Sequence, residues 1–253
     1  MALLEVQHLV KAFGGLKAND DVSFVVEKGE LLGLIGPNGA GKTTCFNCIA
    51  GMFPPTSGRI VFNGEDVTGL PAHEMARRGL ARTFQVYSAG GDLTVEENVL
   101  VGCFMHTRSR SSAKSKADLI LDEMGLNEFR RQLVSELPVA AQKRVTMATA
   151  LGTDPKLLLL DEVAAGLNPC EIEATMAGIR RISAEFGVSV MLIEHVMELV
   201  MNISQRVIVL DYGRKIAEGC PREIACDSQV IKAYLGERYV REHAAEFGGG
   251  TVP

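Results

Sequence analysis

The chain has no tryptophan, no surplus of basic residues, and no apolar run long enough to cross a membrane. A spanning helix needs about 20 consecutive apolar residues. The longest runs here, Leu31–Ile35, Leu157–Leu160 and Val188–Ile193, have the length of buried strands. A formal net charge of −5 counts against nucleic acid as the main ligand, because proteins that grip phosphate backbones carry a basic excess. A local basic patch stays open. The first residues, MALLEVQHLV, lack the basic start and long apolar stretch of a secretory signal. The chain is therefore expected to stay in the cytoplasm, free to dock on a membrane protein.

Cysteine patterning is also scarce. Of six cysteines only Cys45 and Cys48 form a C-x-x-C, and no second cysteine or histidine pair stands at a zinc spacing. Two small core residues inside a helix are the expectation, and a reducing compartment fits the count. What is present is an ordinary globular composition, 47% hydrophobic and 23% charged over 253 residues. That length suits one large domain or two closely joined lobes.

The pattern changes twice along the chain. Residues 1–87 read as strands and turns, with Leu3–Leu9, Val22–Val26, Leu31–Ile35 and Arg59–Phe62 as strands and Asn63-Gly64 as a hairpin turn. Residues 88–151 read as helical, with candidates at Val95–Val101, Ala117–Met124 and Lys143–Leu151. From 152 to about 240 buried strands alternate with helices. Asn168, Pro169 and Glu171 mark a helix start, and Gly187 its end. Alternation of this kind predicts an α/β fold with a mainly parallel sheet covered on both faces. Residues 241–253 are expected to be a disordered tail. The segment His106–Asp118 carries a charge of +3, from Arg108, Arg110, Lys114 and Lys116 against Asp118. It reads as a solvated loop or helix end, with a phospholipid or RNA contact as the alternative.

Chemistry enters at Gly36-Pro37-Asn38-Gly39-Ala40-Gly41-Lys42-Thr43, a complete G-x-x-x-x-G-K-[ST] pattern. Glycines let the backbone curl so that successive N–H groups converge on phosphate oxygens. Lys42 adds a charge near the β- and γ-phosphates, Thr43 offers a hydroxyl to Mg2+, and the following helix points its positive end at the anion. The pattern lies between an apolar strand and a helix, the context that makes it an ATP site. Leu157–Leu160 then delivers Asp161-Glu162. Asp161 can hold magnesium through water, and Glu162 can act as general base on the attacking water.

Taken with these motifs, the chain from about Leu4 to Leu235 resembles the ATP-binding subunits of ABC transporters. Gln85 in A-R-T-F-Q, His195 after V-S-V-M-L-I-E, Asn168 in A-G-L-N-P and Phe13 carry the likeness. G-G-L-K-A, L-T-V-E-E-N-V-L-V-G and A-Y-L-G-E look most like the branched-chain amino acid importer branch. The resemblance implies a P-loop NTPase core with an antiparallel β subdomain and a helical subdomain. It implies that Phe13 stacks on adenine, that residues 36–43 and Thr44 hold nucleotide, and that Thr43, Gln85 and Asp161 hold the metal. Glu162, His195 and Gln85 are the implied catalytic set, with His195 hydrogen-bonding the γ-phosphate. Each also has a plainer reading: a core aromatic, a polar residue near a turn, a satisfied core histidine. Implied partners are a second ABC ATPase subunit, identical or not, transmembrane permease subunits, and indirectly a periplasmic or extracellular substrate-binding protein. The implied place is the cytoplasmic side of the cell membrane.

One stretch departs from the family. Where L-S-G-G-Q is expected before a helix starting near Gln142, the chain has Leu137-Pro138-Val139-Ala140-Ala141. Pro138 brings neither hydroxyl nor N–H to the serine position. In the family's head-to-tail pairs this segment closes the partner's P-loop. Two functions follow: an ATP-hydrolysing subunit driving import, or a regulatory subunit that binds ATP and hardly hydrolyses it. A soluble ABC protein of translation or DNA repair fits less well, lacking a second cassette or coiled-coil insertion.

Overall fold

The computed structural model describes residues 2–83 and 90–234. The expected tail, 241–253, lies outside them. Strands β1 (Ala2–Phe13) and β2 (Leu16–Glu27) form an antiparallel hairpin. Alternation along β2 buries Val22, Phe24 and Val26 on one face, the period-2 pattern of a half-covered sheet. Strand β3 (Leu31–Ile35) is buried at all five positions and leads into α1 (Lys42–Ile49). Strand β4 (Ser57–Phe62) pairs with β1 and turns through Asn63-Gly64 into the short β5 (Glu65–Asp66). These strands make an antiparallel sheet in the order β2-β1-β4-β5.

Helix α2 (Ala72–Arg77) and strand β6 (Leu80–Arg82) follow. Then come α3 (Val95–Cys103), α4 (Arg110–Glu123) and α5 (Val139–Gly152). Helices α3 and α5 meet backbone to backbone at Gly102, where a Cβ would lie 2.1 Å from the Thr149 carbonyl oxygen. The rest of the described chain alternates: β7 (Leu157–Asp161), α6 (Pro169–Phe186), β8 (Ser189–Ile193), α7 (Met197–Ile203), β9 (Arg206–Asp211), β10 (Arg214–Gly219) and α8 (Pro221–Cys226).

The second sheet runs β10-β9-β3-β8-β7-β6, parallel from β9 to β6 and antiparallel at β10. Its inner strands are apolar on both sides because helices cover both faces. One face packs with α3–α7 and the other with α1 and the antiparallel sheet, giving two apolar cores. All parallel strands end at the same edge, so the residues following β3, β7 and β8 gather there.

Two local expectations sharpen. The basic segment becomes helix from Arg110, since Ser109 caps it and Ala113, Ala117, Ile120 and Leu121 bury one face. Lys116 is drawn inward, to the Gly152 carbonyl at 2.7 Å and to Asp154. Helix α5 starts at Val139, three residues before Gln142. Pro138 takes the N-cap, where its missing N–H breaks no helical bond, and its carbonyl accepts from the Gln142 N–H at 3.0 Å.

Candidate functional site

The turn after β3 shows why glycine ends it. Gly41 is the N-cap of α1 with φ +96°, and a Cβ there would lie 2.2 Å from the Ala18 carbonyl oxygen. A side chain would therefore meet both a strained backbone and β2. Asn19, fully buried on β2, donates its amide to the Gly41 carbonyl at 3.1 Å and ties the turn to that strand. Lys42 donates its ammonium to the carbonyls of Gly36 at 2.6 Å and Pro37 at 2.9 Å. Burial pushes the Lys42 pKa down, while the charges of Glu162 and Asp161 oppose that shift. The first N–H groups of α1 have no partner within the helix and point toward the turn. Residues 38–44, Glu162, Tyr212 and the start of β2 at Leu16–Ala18 line a cleft of about 420 Å³.

Adjacent parallel strands bring the acidic and imidazole groups together. Asp161 stands opposite Ile193, and the Glu162 N–H donates to the Ile193 carbonyl at 2.9 Å. His195 Nδ1 lies 3.9 Å from Glu162 Oε1, and His195 is exposed toward solvent. Lys42, Thr43, Asp161, Glu162 and His195 thus meet at one sheet edge, as the strand pattern predicts.

Other residues fall elsewhere. Phe13 is half-exposed, meets Phe53 edge-on with ring centres 5.5 Å apart, and is not among the residues lining the cleft. Gln85 lies outside the described residues. Asn168 caps α6 in a reciprocal box with Glu171. Cys45 and Cys48 are buried in α1; burial pushes the Cys48 thiol up to about 11 and the Cys45 thiol higher. Both are protonated core residues at neutral pH.

Three side chains at the site have no obvious sequence signal. Arg82, at the end of β6, donates to Asp161 Oδ2 at 2.8 Å and also to Asn47 on α1. Lys143 on α5 donates to the carbonyls of Glu162 at 3.2 Å and Ala165 at 2.6 Å. Glu194, buried beside His195, accepts from the Ala164 N–H at 2.7 Å. Burial raises the Glu194 pKa, against its hydrogen bonds and the nearby His195 and Lys143. Arg82 and Glu194 stand inside quoted motifs and Lys143 at the edge of a candidate helix, yet the neighbours of none gave reason to expect these bonds.

A strand–glycine turn–helix with a lysine, beside a strand ending in paired carboxylates, defines a nucleotide-binding α/β protein. Comparison with known proteins narrows this. The ABC transporter family model matches residues 19–165, and a branched-chain amino acid ATP-binding cassette transporter model matches residues 214–240. The chain is 42% identical over 250 residues to the high-affinity branched-chain amino acid transport ATP-binding protein BraF of Pseudomonas aeruginosa, covering 93% of this chain and 98% of that one. Against the LivG protein of the same description from Escherichia coli K12, identity is 40% with the same coverage. An ATP-binding cassette of an ABC transporter, solved in its ADP conformation, superposes with a TM-score of 0.84 at 30% identity, covering 94% of this chain and 100% of that one. The chain belongs to the ABC transporter ATP-binding family. Its fold is the P-loop NTPase α/β fold, and its activity is ATP hydrolysis coupled to transport.

Proposed function

We propose that this chain energises an importer for branched-chain or other hydrophobic amino acids, or related small molecules, from the cytoplasmic side of a membrane. Relatives named for branched-chain amino acid transport support the substrate class. No helix among the described residues is long and apolar enough to cross a membrane. Permease subunits, a second ATPase subunit and an external binding protein are the partners this reading requires. The regulatory alternative finds no support in the comparisons.

The observation that carries the mechanism is the 3.9 Å approach of His195 to Glu162 at the edge where Lys42 also stands. Glu162 takes the proton of the attacking water. His195, as neutral imidazole, hydrogen-bonds the γ-phosphate and holds water and base in line. Lys42 exchanges carbonyl partners for phosphate oxygens, and the glycine turn with α1 supplies N–H donors. Thr43 and Thr44, on the turn lining the cleft, and Asp161, a buried carboxylate close enough to act on Lys42, fit a magnesium nucleotide; Gln85, which this reading adds to them, lies outside the described residues. Bound there, magnesium supplies a Lewis acid that offsets charge on the phosphates. Pro138–Ala141 would then serve the partner's site, and a partner with a fuller signature would leave this chain's own site competent.

Glu162→Gln tests the base. Hydrolysis should fall by at least about 10²-fold, the scale of a lost general base, with nucleotide affinity retained. Undiminished turnover would remove Glu162 from that role.

A further inference from the structure

Glu162 holds an uncommon backbone. Its φ is +50°, in the left-handed region that a non-glycine residue keeps only when its surroundings impose it. The strand pairing explains part of this, because the Glu162 N–H is fixed to Ile193. The loop that follows has no strand neighbour to hold it. Besides its own turn bonds, from the Ala165 N–H to the Glu162 carbonyl at 3.3 Å and from the Leu167 N–H to the Ala164 carbonyl at 3.2 Å, two side chains hold it from opposite directions.

Lys143 reaches from α5 and spans two carbonyls, Glu162 at 3.2 Å and Ala165 at 2.6 Å. Glu194, 1% exposed on the strand side, takes the Ala164 N–H between them at 2.7 Å. Both bring an ionisable group into a largely buried place, which costs desolvation that ordinary loop packing would not require. Charged groups also make stronger hydrogen bonds to backbone than neutral ones. Their shared target is the loop that aims Glu162.

We infer that Lys143 and Glu194 are positioning residues for hydrolysis, clamping residues 162–165 so that the Glu162 carboxylate stays aimed at the cleft beside His195. This rests on Glu162 acting as the base. It also gives α5 a direct mechanical hold on the base, because Lys143 lies one turn beyond Val139 at the helix start. A displacement of that helix start is transmitted to Glu162 through a single ammonium.

The test uses the full chain with Lys143→Met, Lys143→Arg, Glu194→Leu and Glu194→Gln, and Glu162→Gln as reference. Lys143→Met and Glu194→Leu should lower kcat by roughly 10- to 100-fold, the scale of a misplaced catalytic group. Their KM should stay within about two-fold, since binding is not touched. Lys143→Arg and Glu194→Gln, which keep a donor and an acceptor, should recover most of the loss. Amide hydrogen exchange over 162–167 should quicken in the first pair alone. If Glu162→Gln stops hydrolysis while Lys143→Met and Glu194→Leu leave kcat intact, the clamp is overturned and the base survives. If Glu162→Gln still turns over, the base reading fails instead. A loss spread equally over kcat and KM, with faster exchange throughout the chain, indicates a purely structural role and also overturns the clamp.

Discussion

Replacing Arg82 by methionine should be among the most destabilising single changes near the site. Its guanidinium and the Asp161 carboxylate are only 7% and 3% exposed and meet at 2.8 Å. Arg82 also donates to Asn47 and lies 5.9 Å from the centre of the Phe46 ring. Because both charges are buried, solvent screening offers little discount. Removing one partner strands the other, a cost of about 3–5 kcal/mol. For a chain of this size each kcal/mol lowers Tm by roughly 2–4 °C, so a fall of about 6–20 °C is expected. Thermal unfolding followed by circular dichroism reads it directly. Adding Asp161→Asn to Arg82→Met removes the stranded charge, so the double variant should melt above the single one. A single variant within about 2 °C of the parent, far short of that fall, would refute the reasoning. So would losses that simply add in the double variant, since groups in contact should couple.

Gly41→Ala places a methyl 2.2 Å from the Ala18 carbonyl at φ +96°, so the phosphate turn must move. Nucleotide affinity should weaken at least about ten-fold, on a backbone penalty near 1–2 kcal/mol before the clash is counted; unchanged titration of a fluorescent nucleotide would count against the close approach. Burial raises the Glu194 pKa above 4.5, so the fold binds its proton more tightly than the unfolded chain does. That contribution is full below pH 4.5 and is lost as pH rises through the raised value. Glu194→Gln escapes the loss, and its Tm should gain on the parent as pH rises above 4.5. A Tm difference flat across that range would show that Glu194 titrates alike in both states.

The parts of the site legible in sequence are those whose chemistry is local. Gly36–Thr43 announces itself because strand, glycine turn and helix are consecutive, and backbone shape does the binding. Asp161-Glu162 and His195 follow buried strands, and parallel pairing brings strand ends to one edge whatever their separation. Arg82, Lys143 and Glu194 were not legible, because none has a local partner. Arg82 finds Asp161 79 positions away, and Lys143 and Glu194 bond to backbone atoms, which leave no residue-type signature. Phe13, which the resemblance alone offers as the ring that stacks on adenine, keeps half its surface exposed while Phe53 meets it edge-on. The basic segment is the solvated helix end its serines and lysines suggest, and only the Ala113, Ala117, Ile120 and Leu121 spacing, masked by them, shows how soon the helix begins.

The departure at Pro138–Ala141 also looks different in three dimensions. These residues form the N-cap and first turn of α5, with Val139 exposed and Ala141 buried. As a helix start the segment is sound, because Pro138 sits where no N–H is required and alanine is the best helix former. Glycine at the Ala140 position would cost about 1 kcal/mol more inside a helix. The substitution thus trades a hydroxyl and backbone freedom for a firmer first turn. Lys143 lies in the next turn, so a firmer α5 start also fixes the ammonium that holds the Glu162 loop. On the proposed pairing, what the segment gives up concerns a neighbouring chain's phosphates, and what it gains stays within this one. Nucleotide chemistry at Lys42, Glu162 and His195 is therefore compatible with a weak signature in the same chain, provided a partner's helix supplies the missing donors.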